Sequence, residues 1–309
     1  MRTKRNEATA VPLLDVGRQN SPLRAEINAA IAEVSQSGAF IQGPACREFE
    51  AAVADYCQTA HAIGCASGSD ALLLTLMALG IGPGDEVITV AHTAVATIAG
   101  IFHAGATPIM VDIDPTTWTM DPNAVEAAIG PRTRVILPVH IYGHPANMTD
   151  LLKLARQHNL IIIEDCAQAM GASVNSKRVG TYGEMGCFSL QQNKILITGE
   201  GGVVITDDEE LYDRARMIHD GGNLWGISKN PSAAFPGMNF RMDEIRGAVA
   251  SVQLTRLDDF LENTRMRNAK LREAITDVDG ILVGNAEDLA ARSGVTVVLP
   301  DAPVVAAAD

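Results

Sequence analysis

"DEVITVAHTAVATIAGIFHAGATPIMVDI", Asp85 to Ile113, decides the fold of this chain. "DEVITVA" is a short continuous apolar run and reads as a strand. "TAVATIAGIFHAG" reads as a helix and "TPIMVDI" as a second strand. Both strands are rich in Val and Ile without alternation, the pattern of strands covered on both faces. The same grammar extends on either side. "HAIGCA" is a strand and "DALLLTLMALG" a helix ending at Gly80. "PNAVEAAIG" is a helix, "TRVILPVHIYG" a strand, "MTDLLKLARQHN" a helix and "LIIIEDCA" a strand. Strands alternating with helices predict an α/β fold built on a mostly parallel, doubly wound sheet. Further on, Cys187 to Thr206 reads as two strands flanking a turn. "MDEIRGAVASVQLTRLDDFLENTRMRNAKLREAI" is a long helical run, broken once. The tail "DLAARSGVTVVLPDAPVVAAAD" shows little pattern.

With 309 residues, 47% of them hydrophobic and 20% charged, the chain buries a large core. A net charge of -13 argues against nucleic acid as a partner, because phosphate backbones require a basic face. The five cysteines, Cys46, Cys57, Cys65, Cys166 and Cys187, form no CxxC pair and no metal-ligand spacing, so no metal is expected. Their scatter suggests reduced thiols and a cytoplasmic protein. "MRTKRNEATAVPLLD" has no apolar core of a signal peptide, and no apolar run is long enough to span a bilayer.

Ligands of such sheets bind beyond the carboxyl ends of the strands. "SGSDALLL", Ser67 to Leu74, follows a strand there and opens a helix. Its N–H groups and the positive end of the helix dipole offer a phosphate seat, or Ser69 or Asp70 simply caps the helix. Asp165, in "LIIIEDCAQAMGA", is an acid at a strand end that can bind a metal, pair with a cation or cap a turn. Lys194, in "CFSLQQNKILITGEGGVVIT", lies in a loop five residues after Ser189. Together, a phosphate seat, a strand-end acid and a loop lysine are the parts of a pyridoxal 5'-phosphate (PLP) site. The lysine forms an imine with the cofactor aldehyde, and the acid keeps the pyridine nitrogen protonated.

From Val11 to Ile275 the chain resembles the DegT/DnrJ/EryC1/StrS sugar aminotransferases, PLP-dependent enzymes of fold-type I, the aspartate aminotransferase-like group. The resemblance is carried by "FEAAVADYCQTAHAIGCASGSDALLLTL", "VILPVHIYGHPANM", "IIEDCAQAMGA", "CFSLQQNKILITGEGGVVIT" and "NFRMDEI". It implies that Lys194 is the Schiff-base lysine and Asp165 the partner of the pyridinium nitrogen. Gln168 would contact the cofactor ring region. Ser69, Asp70 and Ser189 match phosphate-binding positions, Asp70 through its backbone N–H because its carboxylate would repel a phosphate. Asn239 resembles an asparagine that reaches the neighbouring subunit's phosphate, which implies a homodimer with shared sites; Arg241 joins it there or supports its loop.

The chain departs from the family pattern in three places. Ala94 stands where an aromatic ring would stack on the cofactor, leaving His92 or a neighbour to do so. Met170 replaces a histidine common in relatives. The region after the last helix does not resemble the family's small domain. Residues 15–255 are therefore expected to form the PLP-binding large domain, and 256–309 the start of a truncated or divergent small domain. The activity implied is transfer of an amino group from L-glutamate or L-glutamine to a nucleotide-linked keto-sugar. An inosose-type cyclitol ketone is the close alternative, and a non-catalytic PLP-binding protein the distant one. Lys194 argues against the dehydratases of the family, which lack this lysine.

Overall fold

The computed structural model describes residues 15–222, 236–276, 281–288 and 293–300. Its centre is a seven-stranded sheet built from β1 (His61–Cys65), β2 (Glu86–Val90), β3 (Thr107–Val111), β4 (Thr133–Ile136), β5 (Ile161–Asp165), β8 (Met185–Ser189) and β9 (Gly202–Thr206). Two short strands, β6 (Ser173–Val174) and β7 (Lys177–Arg178), form a separate hairpin. The spatial order in the sheet is β1-β9-β8-β5-β4-β2-β3. All neighbours pair in parallel except β9, which runs against both β1 and β8. The expectation of a mostly parallel α/β sheet is met.

Helices α1 (Val16–Asn20), α2 (Arg24–Ser37), α3 (Pro44–Cys57), α4 (Gly68–Ala78), α5 (Val95–His103), α6 (Pro122–Ala128), α7 (Met148–His158), α8 (Glu209–His219) and α9 (Glu244–Leu254) surround the sheet. The side chains of β8 and β9 alternate between two cores. Cys187 and Val204 face the larger one, with Leu72, Leu74 and Ile101. Phe188, Val203 and Ile205 face the other, with Phe49, Val53 and Leu254. The period of two in a strand assigns these faces. In α3, Cys46, Phe49, Val53, Ala54 and Cys57 recur at helical spacing and are buried together. The start of α3 is capped from a distance. The buried Glu244 carboxylate accepts from the N–H groups of Gly43 (2.8 Å), Ala45 (2.8 Å) and Cys46 (3.2 Å), and so satisfies donors that a helix start otherwise leaves open.

Two expectations are adjusted by the structure, and a third, the single break in the last helical run, is met. The strand expected over Thr133–Gly143 stops at Ile136, and Ile141–Gly143 forms a 3-10 turn. Pro138 has no N–H to continue a ladder, and the backbone past it pairs instead with Asp165. The helical run near the end breaks at Thr255–Arg256, and α10 (Leu257–Thr276) follows. Leu257 and Leu261 pack into the same core as α3 and α9, so the first turns of α10 rest on the residues before 256. The tail that showed little pattern forms an antiparallel hairpin, β10 (Ile281–Asp288) and β11 (Ser293–Pro300). Val295, Val297 and their neighbours supply β-branched residues for it. No described helix is long and apolar enough to cross a membrane.

Candidate active site

The carboxyl ends of β1, β2, β4, β5 and β8 lie along one edge of the sheet, and the reversed β9 begins there. Asp165 is the last residue of β5 and is 3% exposed. Its Oδ2 accepts from Thr97 Oγ1 at 2.7 Å, and its Oδ1 from the Ala167 N–H at 3.0 Å. Burial pushes its carboxyl up; the Thr97 hydroxyl, the Ala167 N–H and the charge of Lys194 pull it back. Lys194 is half-buried in the loop between β8 and β9. Burial lowers its amine from the ordinary lysine value, and the Asp165 carboxylate opposes that shift. The two groups therefore lie within range of each other's charge. A lowered amine is the requirement for a nucleophilic lysine.

The loop carrying Lys194 is held from outside. Gln19 Nε2 donates to the Ile195 carbonyl at 3.1 Å. The buried Gln253 of α9 accepts from the Ile197 N–H at 2.9 Å and donates back to the Ile197 carbonyl. Lys194 is thus flanked by backbone clamped to α9, where the sequence shows only a polar run and a glycine turn.

Across from it stands the N-terminus of α4. The cap is Ser67, whose Oγ accepts from the Asp70 N–H at 3.1 Å. Neither Ser69 nor Asp70 is the cap, and the Asp70 N–H, its expected phosphate donor, is already engaged. The N–H groups of Gly68 and Ser69 have no intrahelical acceptor. Ser69 is exposed at the helix start. Ser189, at the end of β8, closes this seat: its Cβ lies 2.7 Å and its Oγ 3.0 Å from where a Cβ on Gly68 would stand. Gly202, the first residue of β9, passes between Cys65 and Ser189, and a Cβ there would lie 2.3 Å from the Ser67 carbonyl. Glycine at both positions is required by close approach of the backbone.

Gln168 Oε1 accepts from the Tyr142 N–H at 2.7 Å. That oxygen anchors the 3-10 turn, and its NH2 makes no hydrogen bond among the described residues. Ala94 is exposed and brings no ring to the site. His92 instead joins Trp118 and Tyr142, with ring centroids 5.8 and 5.7 Å away. His92 Nε2 is buried and has no partner among the described residues. Trp118 and Tyr142 both hold φ near the left-handed region, at 62° and 54°, a conformation bulky residues avoid unless their surroundings impose it. Met170 is a core residue, 5% exposed.

Asn239 is exposed on an edge segment where Asp220 and Asn239 form a bridge and Phe240 accepts from the Ala66 N–H. Arg241 forms an ion pair with Asp220, so it supports the loop that presents Asn239. Behind Asp165, Glu164 points to the opposite face. It accepts from the N–H groups of Gly180, Tyr182 and Gly183 and from His140 Nε2 at 3.0 Å. His140, Glu164 and Cys166 place ligand-type atoms within 4.8 Å of one another. The Glu164 oxygens and both His140 nitrogens are engaged in hydrogen bonds, which makes this a buried polar anchor and leaves no ligand set for an ion.

Sequence reasoning missed Thr97, Trp118 and Tyr142. The one available signal was Thr93 and Thr97, four apart at the start of a helix that follows a strand.

A mostly parallel sheet with a lysine, a buried acid and a helix N-terminus at its carboxyl edge is the arrangement of an aminotransferase-type fold. The model of the DegT/DnrJ/EryC1/StrS aminotransferase family matches residues 22–302, and the chain belongs to that family and is an aminotransferase. The match runs past Ile275, so the hairpin after α10 is part of the family pattern, against the expectation drawn from the tail. The dTDP-3-amino-3,4,6-trideoxy-alpha-D-glucose transaminase of Streptomyces venezuelae is 44% identical over 280 residues, 90% of this chain and 72% of that protein. The L-glutamine:2-deoxy-scyllo-inosose aminotransferase of Streptomyces kanamyceticus is 40% identical, covering 88% of this chain and 68% of its own length. The crystal structure of S. venezuelae DesV in complex with a ketimine intermediate superposes with a TM-score of 0.86 at 40% identity, over 95% of this chain and 76% of that one. The family is PLP-dependent.

Proposed function

We propose that this chain transfers an amino group from L-glutamate or L-glutamine to a nucleotide-linked keto-sugar, using PLP. The observation that carries the reading is a buried Asp165 at the end of β5, within range of the charge of Lys194, with Ser189 set against the open N-terminus of α4. The residues present fit the cofactor. Asp165 keeps a free lone pair on each oxygen for a ring N–H. Gly68, Ser69 and Ser189 present donors for a phosphate, and Gln168 has its NH2 for the ring region. His92, with its unpaired Nε2, fits the ring face that Ala94 leaves bare. Bound there, PLP supplies an aldehyde and an electron-accepting ring. Lys194 Nζ holds the aldehyde between turnovers and takes and returns the transferred proton. Asp165, at the buried end of the site, would hold the ring nitrogen protonated. Residues 15–255 form the cofactor-binding domain in this reading, and 256 onward belongs to the smaller one. The backbone of β11 approaches Ile141–Gly143, the turn anchored by Gln168, which supports a role for the hairpin near the site.

The test is incubation of the PLP-loaded chain with nucleotide-linked keto-sugars and with inosose-type ketones, each with L-glutamate and L-glutamine, read by mass spectrometry. Amination of a nucleotide-linked keto-sugar is expected. Amination of cyclitol ketones alone would favour the relative from S. kanamyceticus as the guide. Bound cofactor without product from any acceptor would overturn the catalytic reading.

The same reading makes the chain a homodimer with shared sites. Asn239 is exposed rather than folded inward, and Phe40, Ile41 and Met238 beside that edge are 48%, 56% and 54% exposed. Side chains of this size on one edge favour a symmetric partner. Light scattering at micromolar concentration is expected to return the mass of a dimer. A monomer that still binds PLP tightly would remove the role of Asn239.

A further inference from the structure

Asp165 sits in a place that resists charge. The side chain is buried at the end of β5, and Glu164 points to the other face. The titratable groups around it are few. Lys194, in the loop before β9, acts on it through its charge, and Cys166 and Cys187 are buried beside it with thiols pushed up by burial. The His140 ring adjoins it, but its Nδ1 accepts from the Ala146 N–H at 2.9 Å while Nε2 faces Glu164. Both ring nitrogens are thus engaged away from the Asp165 carboxylate. Lys194 is committed to its own chemistry. Two neutral donors remain to hold the carboxylate, the Ala167 N–H and the Thr97 hydroxyl.

Thr97 is fully buried. A threonine in a helix commonly turns its hydroxyl back to the preceding turn; here it donates to Asp165 Oδ2 at 2.7 Å. That uses its only proton. Thr93 Oγ1 lies 2.7 Å from Thr97 Oγ1, so Thr93 must be the donor of that bond. The result is a directed chain, Thr93 O–H to Thr97 O–H to Asp165, in which each bond polarises the next. The β-branch of Thr97 restricts χ1 and keeps the hydroxyl aimed.

We propose that Thr97 is a positioning residue that keeps the Asp165 carboxylate ionised and oriented toward its ligand, with Thr93 as the second donor of the chain. This rests on the reading of Asp165 as the partner of the PLP ring nitrogen. Neither residue needs to touch the cofactor for the effect.

The experiment uses the full chain and the variants Thr97→Val, Thr97→Ser and Thr93→Val. Two quantities are measured across pH: the Kd for PLP by equilibrium dialysis, and the urea midpoint of the cofactor-free protein. Loss of a donor to a buried carboxylate raises that carboxyl further. Its protonated form then persists to higher pH, where it no longer pairs with a protonated ring. Thr97→Val is expected to weaken PLP binding about tenfold at neutral pH and to move the acid limb of binding up by about one pH unit. Without cofactor, a buried carboxylate whose pKa is raised costs stability as pH rises through it. The gap in urea midpoint between Thr97→Val and wild type should therefore widen with pH. Thr97→Ser keeps the donor and should restore both curves. Thr93→Val should shift both in the same direction, by about threefold in Kd.

A wild-type Kd and acid limb in Thr97→Val would overturn the proposal. So would a midpoint gap that is constant with pH, or a folded Thr97→Ser that fails to rescue, since either marks packing alone. If Thr97→Val does not fold, Thr93→Val decides, and wild-type curves in it overturn the chain. Failure of the wild-type protein to bind PLP would sink the reading of the site, and the urea curves would still decide Thr97.

Discussion

Replacing Lys194 by alanine is expected to reduce transamination by at least ~10³-fold, because one atom serves as both nucleophile and proton carrier. Its amine is lowered by burial and opposed by Asp165, so a larger fraction is uncharged at a given pH than in a free lysine. Borohydride reduction of the PLP-loaded wild-type protein, followed by peptide mapping, should place the pyridoxyl label on the peptide containing Lys194. The alanine variant should retain its fold, since the loop is clamped through Ile195 and Ile197 rather than through the lysine side chain. A label on another lysine, or turnover in the variant near that of wild type, would refute the assignment.

Asp165→Asn is expected to keep part of the PLP affinity while lowering transamination by at least ~10²-fold, because a neutral amide cannot hold the ring nitrogen protonated. The pH dependence follows from the direction of the shift. Burial raises the Asp165 carboxyl, so as pH falls it takes up a proton above the ordinary carboxylate range. Without cofactor, the ionised form is the one that destabilises the fold. Wild-type stability should therefore lose ground as pH rises through that carboxyl, and the loss should be absent in Asp165→Asn. Urea midpoints of both cofactor-free proteins, measured between acidic and neutral pH, check the sign. Half-reaction rates in Asp165→Asn close to those of wild type would reduce Asp165 to a structural acid.

The parallel sheet was legible because β2 is buried along its whole length and β4 and β5 bury the apolar pairs Val135–Ile136 and Ile162–Ile163. Lys194, Asp165 and Ser189 were legible because each stands in a contiguous motif at a strand end. The hairpin after α10 was not. Its strands pair Ile281 with Pro300 and Asp288 with Ser293, and the sequence between them, Leu289 to Arg292, carries no short Asn-Gly type signal. The capping of α4 was also misplaced by two or three residues, since Ser67, Ser69 and Asp70 are all good caps and only the backbone conformation at Ser67 selects among them.

By itself the sequence determined the order of strands and helices, the faces they bury, and the polar residues left at strand ends. Those depend on spacing along the chain, which is local. What only the tertiary structure decided is which of these residues meet. Thr97 reaches Asp165 across 68 positions, Gln253 clamps Ile197 across 56, and Glu244 caps α3 across 201. None of these pairs leaves a periodic trace, because a hydrogen bond between distant elements depends on how the layers pack. Packing sets Gly68 against Ser189 and Gly202 against Ser67, and so turns a capped helix and a loop lysine into one site.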